Sequence, residues 1–278
     1  MKVYVTFDIE GCTGVASRMQ TGINPSAPGA YPRAQRLATD DVKAAIEGVL
    51  EVDPKAEILF NDAHDRSMNV FFEEFPENVS AVVGSAETMD EVMGLDDSFD
   101  ALIGVGAHSN VLTADAVLCH VWDVRQVKFN GMSLTETCLD AALAGYYGVP
   151  LVAIAGDEAS MKVIRANISE KIAAAVVKKG IGRYSAISKN PKVTRRLIRD
   201  AVIDGLKRRK EIAPLTFKNP VTVDIDYPDQ FNAYANVFFM PNDERVSATE
   251  VRFVADNAKD AYFGFLTRDK LSRPRHNV

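Results

Sequence analysis

The chain has 278 residues, 47% of them hydrophobic and 25% charged, with a formal net charge of −6. That is enough apolar material for one large packed domain or two modest ones, and it lies far from disordered or collagen-like compositions. The acidic balance argues against a general nucleic-acid binder, which needs a basic face to displace counterions. No apolar run of eighteen residues is present to span a bilayer.

Lys2–Phe7 is a short β-branched and aromatic run that reads as a strand delivering Asp8 at its end. The start of the chain lacks the apolar stretch and cleavage site of a secretory signal. Cys12, Cys119 and Cys138 form no CxxC pair, so a reducing cytoplasm is the expected setting. Arg33–Val52 carries apolar residues at helical spacing. Ala56–Phe60 and Asp100–Val105 read as strands running into His64 and His108, and Ala116–Val121 and Val124–Phe129 continue the series to a turn at Asn130-Gly131. Ser133–Tyr147 reads as a helix, with Ser133 and Glu136 at capping-box spacing. Pro150–Ala155 is a buried-strand run leading into Asp157, which suits a helix N-cap or a supporting role at a site. Strands alternating with helices predict an α/β fold with a mostly parallel sheet flanked by helices. Pro191–Lys210 reads as a basic amphipathic helix and Glu211–Pro220 as a connection. Val221–Leu271 then gives strand, helix, strand and helix, a smaller C-terminal α+β unit. The expected division is a catalytic domain over 1–210 and a smaller unit over 211–278, whose segment Arg268–Val278 is a loose polar tail holding His276.

Chemistry concentrates in a few residues. Asp8 and Glu10, two apart on a strand end, would point the same way while Ile9 packs inward. Two such carboxylates repel unless they are solvated, protonated or share a cation. His64 and His108 each follow a strand, at the edge where open α/β sheets bind ligands. Each residue alone also fits a capping or packing role, and Glu136 fits the start of a helix. Taken together, three carboxylates and two imidazoles suit a borderline dication such as Zn²⁺ better than Mg²⁺. Their charge suits two metals about 3.5–4 Å apart bridged by a carboxylate, for which Asp8 is the natural candidate.

Thr6-Phe7-Asp8-Ile9-Glu10-Gly11 resembles the Ser-x-Asp-x-Glu-Gly signature of the D-aminopeptidase family of dinuclear zinc peptidases. Asn61-Asp62-Ala63-His64, Gly104-Val105-Gly106-Ala107-His108, Cys119-His120, Leu134-Thr135-Glu136, the Ala144–Pro150 stretch and Ala155-Gly156-Asp157 resemble it further, in order, to about residue 210. The resemblance implies a zinc-dependent aminopeptidase that removes the N-terminal residue of short peptides, D-alanyl peptides above all, with a metal-activated water as nucleophile. It implies two Zn²⁺ per chain, with Asp8 bridging, Glu10 and His64 on one side, and His108 and Glu136 on the other. His120 takes the place of the catalytic histidine, and the family's assembly is a homo-oligomeric ring, a decamer with enclosed sites. The chain departs from the pattern at Thr6, where Ser is usual, at Cys119, and in 109–118, where Thr-Pro-Gly is missing. Two other readings stand beside this one. Phe7-Asp8-Ile9-Glu10 is also similar to the first motif of two-metal proofreading exonucleases, although a third motif is missing. The same cluster could serve a non-enzymatic metal-dependent scaffold, although structural zinc sites favour thiolates.

Overall fold

The computed structural model describes residues 1–84 and 92–272. β1 (Lys2–Phe7) is buried from Val3 onward and lies between two parallel neighbours. α1 (Ala30–Val52) begins three residues before its expected start and buries Ala34, Ala38, Val42, Ala45, Ile46 and Val49 along one stripe. β2 (Glu57–Asp62) pairs with β1, and β3 (Val79–Val82) adds the edge beyond it. β4 (Ala101–Ala107) then returns to the other side of β1. This reversal of winding between β1 and β4 opens a crevice beyond their C-terminal ends, the usual ligand position in such sheets.

Residues 116–121 form no strand, against expectation. They belong to a loop whose donors are spent elsewhere: Leu118 N donates to Arg183 O and His120 N to Ser109 O, each at 2.8–2.9 Å. β5 (Gln126–Phe129) and β6 (Met132–Ser133) then form the predicted hairpin. At its turn Asn130 and Gly131 both have positive φ, 49° and 83°, as a type I′ turn requires. Because the hairpin ends in Ser133, that hydroxyl accepts from Gln126 Nε2 and Asn110 Nδ2 instead of capping a helix. α2 (Glu136–Tyr146) is capped by Thr135, whose side chain accepts from Cys138 N. The expected capping box is therefore absent, and the Glu136 carboxylate is free to face the crevice.

β7 (Leu151–Asp157) is buried throughout, and Asp157 caps α3 (Glu158–Asn167) by accepting from the amides of Ala159 and Ser160. β8 (Ala173–Gly182) and β9 (Ser185–Ser188) were not legible as strands beforehand. They complete a seven-stranded sheet of order β3-β2-β1-β4-β7-β8-β9, parallel except at β9. α4 (Pro191–Lys207), started by the Asn190 cap and Pro191, packs on α1. Helices on the faces of a buried, mostly parallel sheet are the expected α/β architecture.

A separate antiparallel sheet follows. β10 (Val221–Asp226), α5 (Gln230–Phe239), β11 (Glu244–Arg245), β12 (Glu250–Ala255) and α6 (Ala258–Ser272) supply its later part. Its strand order is β11-β12-β10-β5-β6, so the 126–133 hairpin leaves the first layer to pair with β10. The start of the expected loose tail is ordered. Arg268 lies on α6, buried, with a two-pronged ion pair to Asp243 at 2.6 Å and its guanidinium over the Phe253 ring. Counting charge along the chain hid this pair, because its acid lies on a distant segment. His276 lies outside the described residues. Among the described residues no helix is long and apolar enough to cross a membrane, and all three cysteines are buried and free.

Candidate metal centre

The C-terminal ends of three adjacent parallel strands build the site. Asp8 follows β1, His64 follows β2 by two residues, and His108 follows β4 directly. Glu10 does not reach the site by strand alternation, as the sequence suggested. β1 ends at Phe7, and residues 8–11 turn instead, with Ile9 buried and its amide donating to Asp8 Oδ1 at 2.7 Å. Gly11 makes that turn possible. Its amide donates to Gly106 O at 2.7 Å, and a Cβ there would lie 2.2 Å from the Gly106 carbonyl. Gly106, at φ 81°, reciprocates: a Cβ on it would meet Asp8 O at 1.7 Å. The sequence alone assigned Gly11 little weight, yet this backbone contact is what brings the acid turn against the strand bearing His108.

Asp8 sits between the imidazoles. Its Oδ1 lies 2.9 Å from His64 Nδ1 and its Oδ2 lies 2.8 Å from His108 Nε2. Glu10 Oε2 is 3.0 Å from His64 Nδ1, and Glu136 Oε2 is 2.8 Å from His108 Nε2. All five expected residues therefore meet, in two groups that share Asp8. Ligand atoms of Asp8, Glu10 and His108 lie within 4.8 Å of one another, as do those of His108, His120 and Glu136. His120 stacks on His108, ring centroids 4.3 Å apart and 8° from parallel, with Nε2 3.9 Å from Glu136 Oε1.

Each imidazole has one nitrogen anchored on backbone. His64 Nε2 is 2.7 Å from Thr21 O, His108 Nδ1 is 3.1 Å from Ser109 O, and His120 Nδ1 is 2.8 Å from Leu118 O. A neutral imidazole whose one N–H serves such a carbonyl turns a lone pair the other way. For His64 and His108 that direction holds only carboxylate oxygens, which are also acceptors. His108 Nε2 and Glu10 Oε2 are buried and make no well-formed hydrogen bond. Acceptors converging on acceptors fit a cation between them. The electrostatics agree. Burial works against charge on His64 and His108, yet Glu10, Glu136 and Asp8 hold both well above the ordinary histidine value. Burial together with the Asp8 charge pushes Glu10 up. For Asp8 and Glu136 burial is outweighed, chiefly by His108, and both carboxyls are pulled down. The surroundings thus stabilise positive charge at one spot, and their mixed N/O donors match the preference of zinc.

Lys178 is the buried residue that sequence reading missed. It lies on β8, fully covered, and its ammonium donates to the carbonyls of Glu10, Cys12 and Val15. All three donors of the ammonium are used, while burial lowers its pKa to about 8. Asp41 on α1 grips the same loop through the Thr13 amide and hydroxyl at 2.8 and 2.9 Å. The one available signal was a lysine in the middle of an apolar run, in a strand the periodicity did not reveal. Outside the metal-facing groups, a cavity of about 600 Å³ opens between Glu10, His120, Trp122, Arg18, Arg183 and Tyr184, a size typical of small-ligand sites.

Known proteins match the chain along nearly its whole length. Over 276 residues, 98% of each chain, the sequence is 28% identical to the D-aminopeptidase of Bacillus subtilis (strain 168). The fold is similar, at a TM-score of 0.91 with 26% identity and 100% coverage of both chains, to a solved structure described as the Zn-dependent D-aminopeptidase DppA from Bacillus subtilis, a self-compartmentalizing protease. The family model described as D-aminopeptidase matches residues 1–267. Matched along nearly its whole length, the chain belongs to the D-aminopeptidase family.

Proposed function

We propose that the chain is a zinc-dependent aminopeptidase that hydrolyses the N-terminal residue, of D configuration, from short peptides. The observation that carries this is Asp8 placed between two backbone-anchored imidazoles, each with a second carboxylate, of which Glu10 lines a cavity of about 600 Å³ together with His120. Asp8, Glu10, His64, His108 and Glu136 would hold the metal, with Asp8 common to a Glu10–His64 group and a His108–Glu136 group that would take two Zn²⁺. Bound there, zinc supplies Lewis acidity that makes water nucleophilic near neutral pH and polarises a peptide carbonyl. The protein does the rest. Thr21 O and Ser109 O fix the orientation of the ligand rings, and Trp122 N donates to Glu136 Oε1 at 2.5 Å, setting the carboxylate plane. His120, turned by Leu118 O, presents Nε2 on the cavity wall, where it passes a proton to the leaving amine or steadies the tetrahedral intermediate. Family membership favours this peptidase over the two-metal nuclease and the binding scaffold.

Metal analysis of the purified protein, paired with a panel of D- and L-terminal dipeptides, tests the reading. The expected result is two zincs per chain and chelator-sensitive release of a D-residue. DNA-only hydrolysis, or metal without any peptide turnover, overturns it. The self-compartmentalizing relative supports an oligomeric assembly, for which we propose a homo-oligomeric ring, a decamer with its sites facing an enclosed space. Three free, buried cysteines accord with work in the cytoplasm.

Lys178→Met is expected to weaken zinc retention about 10–100-fold, as loss of a group supporting a metal ligand does. Methionine fills the space but leaves the carbonyls of Glu10, Cys12 and Val15 without their donor. Competition with a graded chelator measures this, and unchanged retention would remove Lys178 from the support of the site.

A further inference from the structure

The cavity beside His120 carries three arginines on its walls, Arg18, Arg125 and Arg183. They are not equivalent. Arg125 has an acid, Asp226, at 3.7 Å. Neither Arg18 nor Arg183 has a carboxylate within ion-pair distance among the described residues, although acids outnumber bases in the chain. Both flank one ring instead, with guanidinium carbons 5.9 Å and 5.5 Å from the Tyr184 centroid. Two like charges held beside one ring, neither with a carboxylate in ion-pair distance, are favoured further by an anion that joins them.

Both arginines stand on segments tied to the imidazoles. Arg18 follows Ser17 in a short turn closed by Gln20, whose side chain accepts from the amides of Ala16 and Ser17 and donates to Gly14 O. The next residue after that turn is Thr21, the backbone anchor of His64. Arg183 sits at the β8–β9 turn, where its carbonyl accepts from Leu118 N and its Nη2 donates to Cys119 O at 2.9 Å, beside His120. The turn pairs with the very loop that carries the catalytic histidine. One guanidinium offers five donors, so Arg183 keeps others after serving Cys119.

We propose that Arg18 and Arg183 form the pocket for the C-terminal carboxylate of the substrate, which makes this chain discriminate a free carboxyl end from a C-terminal amide. The inference rests on the aminopeptidase reading and names the specificity of that same site. The amino end and scissile bond of the peptide lie at the metal-facing carboxylates and His120. A residue advances at most about 3.6 Å along an extended chain, so only a short peptide has its carboxylate still inside this cavity. Ile23, Val111, Leu118 and Trp122 give the same walls apolar surface for its side chains.

The test is the ratio of kcat/KM for one dipeptide to that for its C-terminal amide. The wild type is expected to favour the free acid by about tenfold or more, the scale of charge-assisted guanidinium–carboxylate recognition. In Arg18→Gln/Arg183→Gln the ratio is expected to fall toward one, and the paired lysine variant to restore part of it. Arg18→Gln alone, at a side chain that holds no backbone carbonyl, is expected to lower the ratio even if the double variant folds poorly. Equal use of acid and amide by the wild type overturns the proposal, as does an unchanged ratio in the variants. A ratio that falls only for substrates with an acidic side chain assigns the pocket to that side chain and overturns it too. Failure to turn over any peptide, amide or aminoacyl p-nitroanilide overturns the peptidase reading itself, whereas turnover without discrimination removes the carboxylate pocket alone.

Discussion

His120→Ala is expected to reduce turnover by about 10²–10⁴-fold, the usual worth of a positioned proton-transfer group, while both zincs stay bound. Two observations pull the assignment of this residue in different directions. His120 stacks on His108 and lies within the trio His108, His120 and Glu136, whose ligand atoms fall within 4.8 Å of one another. That geometry is compatible with a metal ligand. Yet its Nε2 is 3.9 Å from Glu136 Oε1, against 2.8 Å from His108 Nε2 to Glu136 Oε2. Its side chain is 34% exposed where that of His108 is 1%. It stands at the cavity edge, where a substrate amide would pass. Loss of turnover with two metals retained, read by kinetics and metal analysis on the same preparation, fits a group that moves protons. Loss of one metal in the variant would make His120 a ligand. Retained turnover would leave it with neither role. Imidazole is suited to the proton-moving role because it exchanges protons near neutral pH, and Leu118 O fixes which nitrogen faces the substrate.

The parts of this site that were legible beforehand are those where one residue type implies one chemistry. Asp8, His64 and His108 could be placed because each ends a strand of a parallel sheet, and sheet topology gathers strand ends into one crevice. Glu136 can be named and opens its helix as expected, but the residue that caps the helix cannot be read locally. Capping-box spacing pointed to Ser133, and only the hairpin pairing of β5 with β6 and β10 shows why Thr135 takes that role. Long-range pairing competes with local capping, and a single sequence displays only the local side. The same limit hid Lys178 and Arg268. Each is a charge whose partners lie far along the chain: the Glu10 loop, 168 residues away for Lys178, and Asp243, 25 residues away for Arg268. Burial without a visible partner reads as solvated charge. The loop around His120 escapes the sequence for a related reason. Its apolar residues suggested a strand, but Asp115, Leu118 and Trp122 adopt positive φ (60°, 51° and 40°), a conformation no strand contains. Strain in bulky residues beside a functional group is held only where surrounding contacts impose it, here the pairing of the loop with the β8–β9 turn.

Asp8→Asn is expected to abolish binding of both zincs, whereas Glu10→Gln or Glu136→Gln is expected to weaken mainly one. Of the three carboxylates, Asp8 alone has an oxygen against both imidazoles, 2.9 Å from His64 Nδ1 and 2.8 Å from His108 Nε2. Of these two rings, Glu10 comes within ion-pair distance of His64 and Glu136 within ion-pair distance of His108. Asparagine keeps the shape of Asp8 and its bond from the Ile9 amide, but it loses the charge and turns one oxygen into a donor that cannot ligate. With Asp8 ionised, three carboxylates would face the two dications of the proposed site and leave one positive charge in excess. With asparagine the excess doubles in a buried place, where an uncompensated charge costs most. Two measurements read the result. Zinc per chain after dialysis should fall from two to none in Asp8→Asn and stay near one in either glutamine variant. Zinc should also raise the melting temperature of the wild type, since a ligand that binds only the folded state stabilises it by mass action, and that rise should vanish in Asp8→Asn. One zinc retained in Asp8→Asn would mean that the two metals have separate ligand sets, and that Asp8 belongs to only one of them.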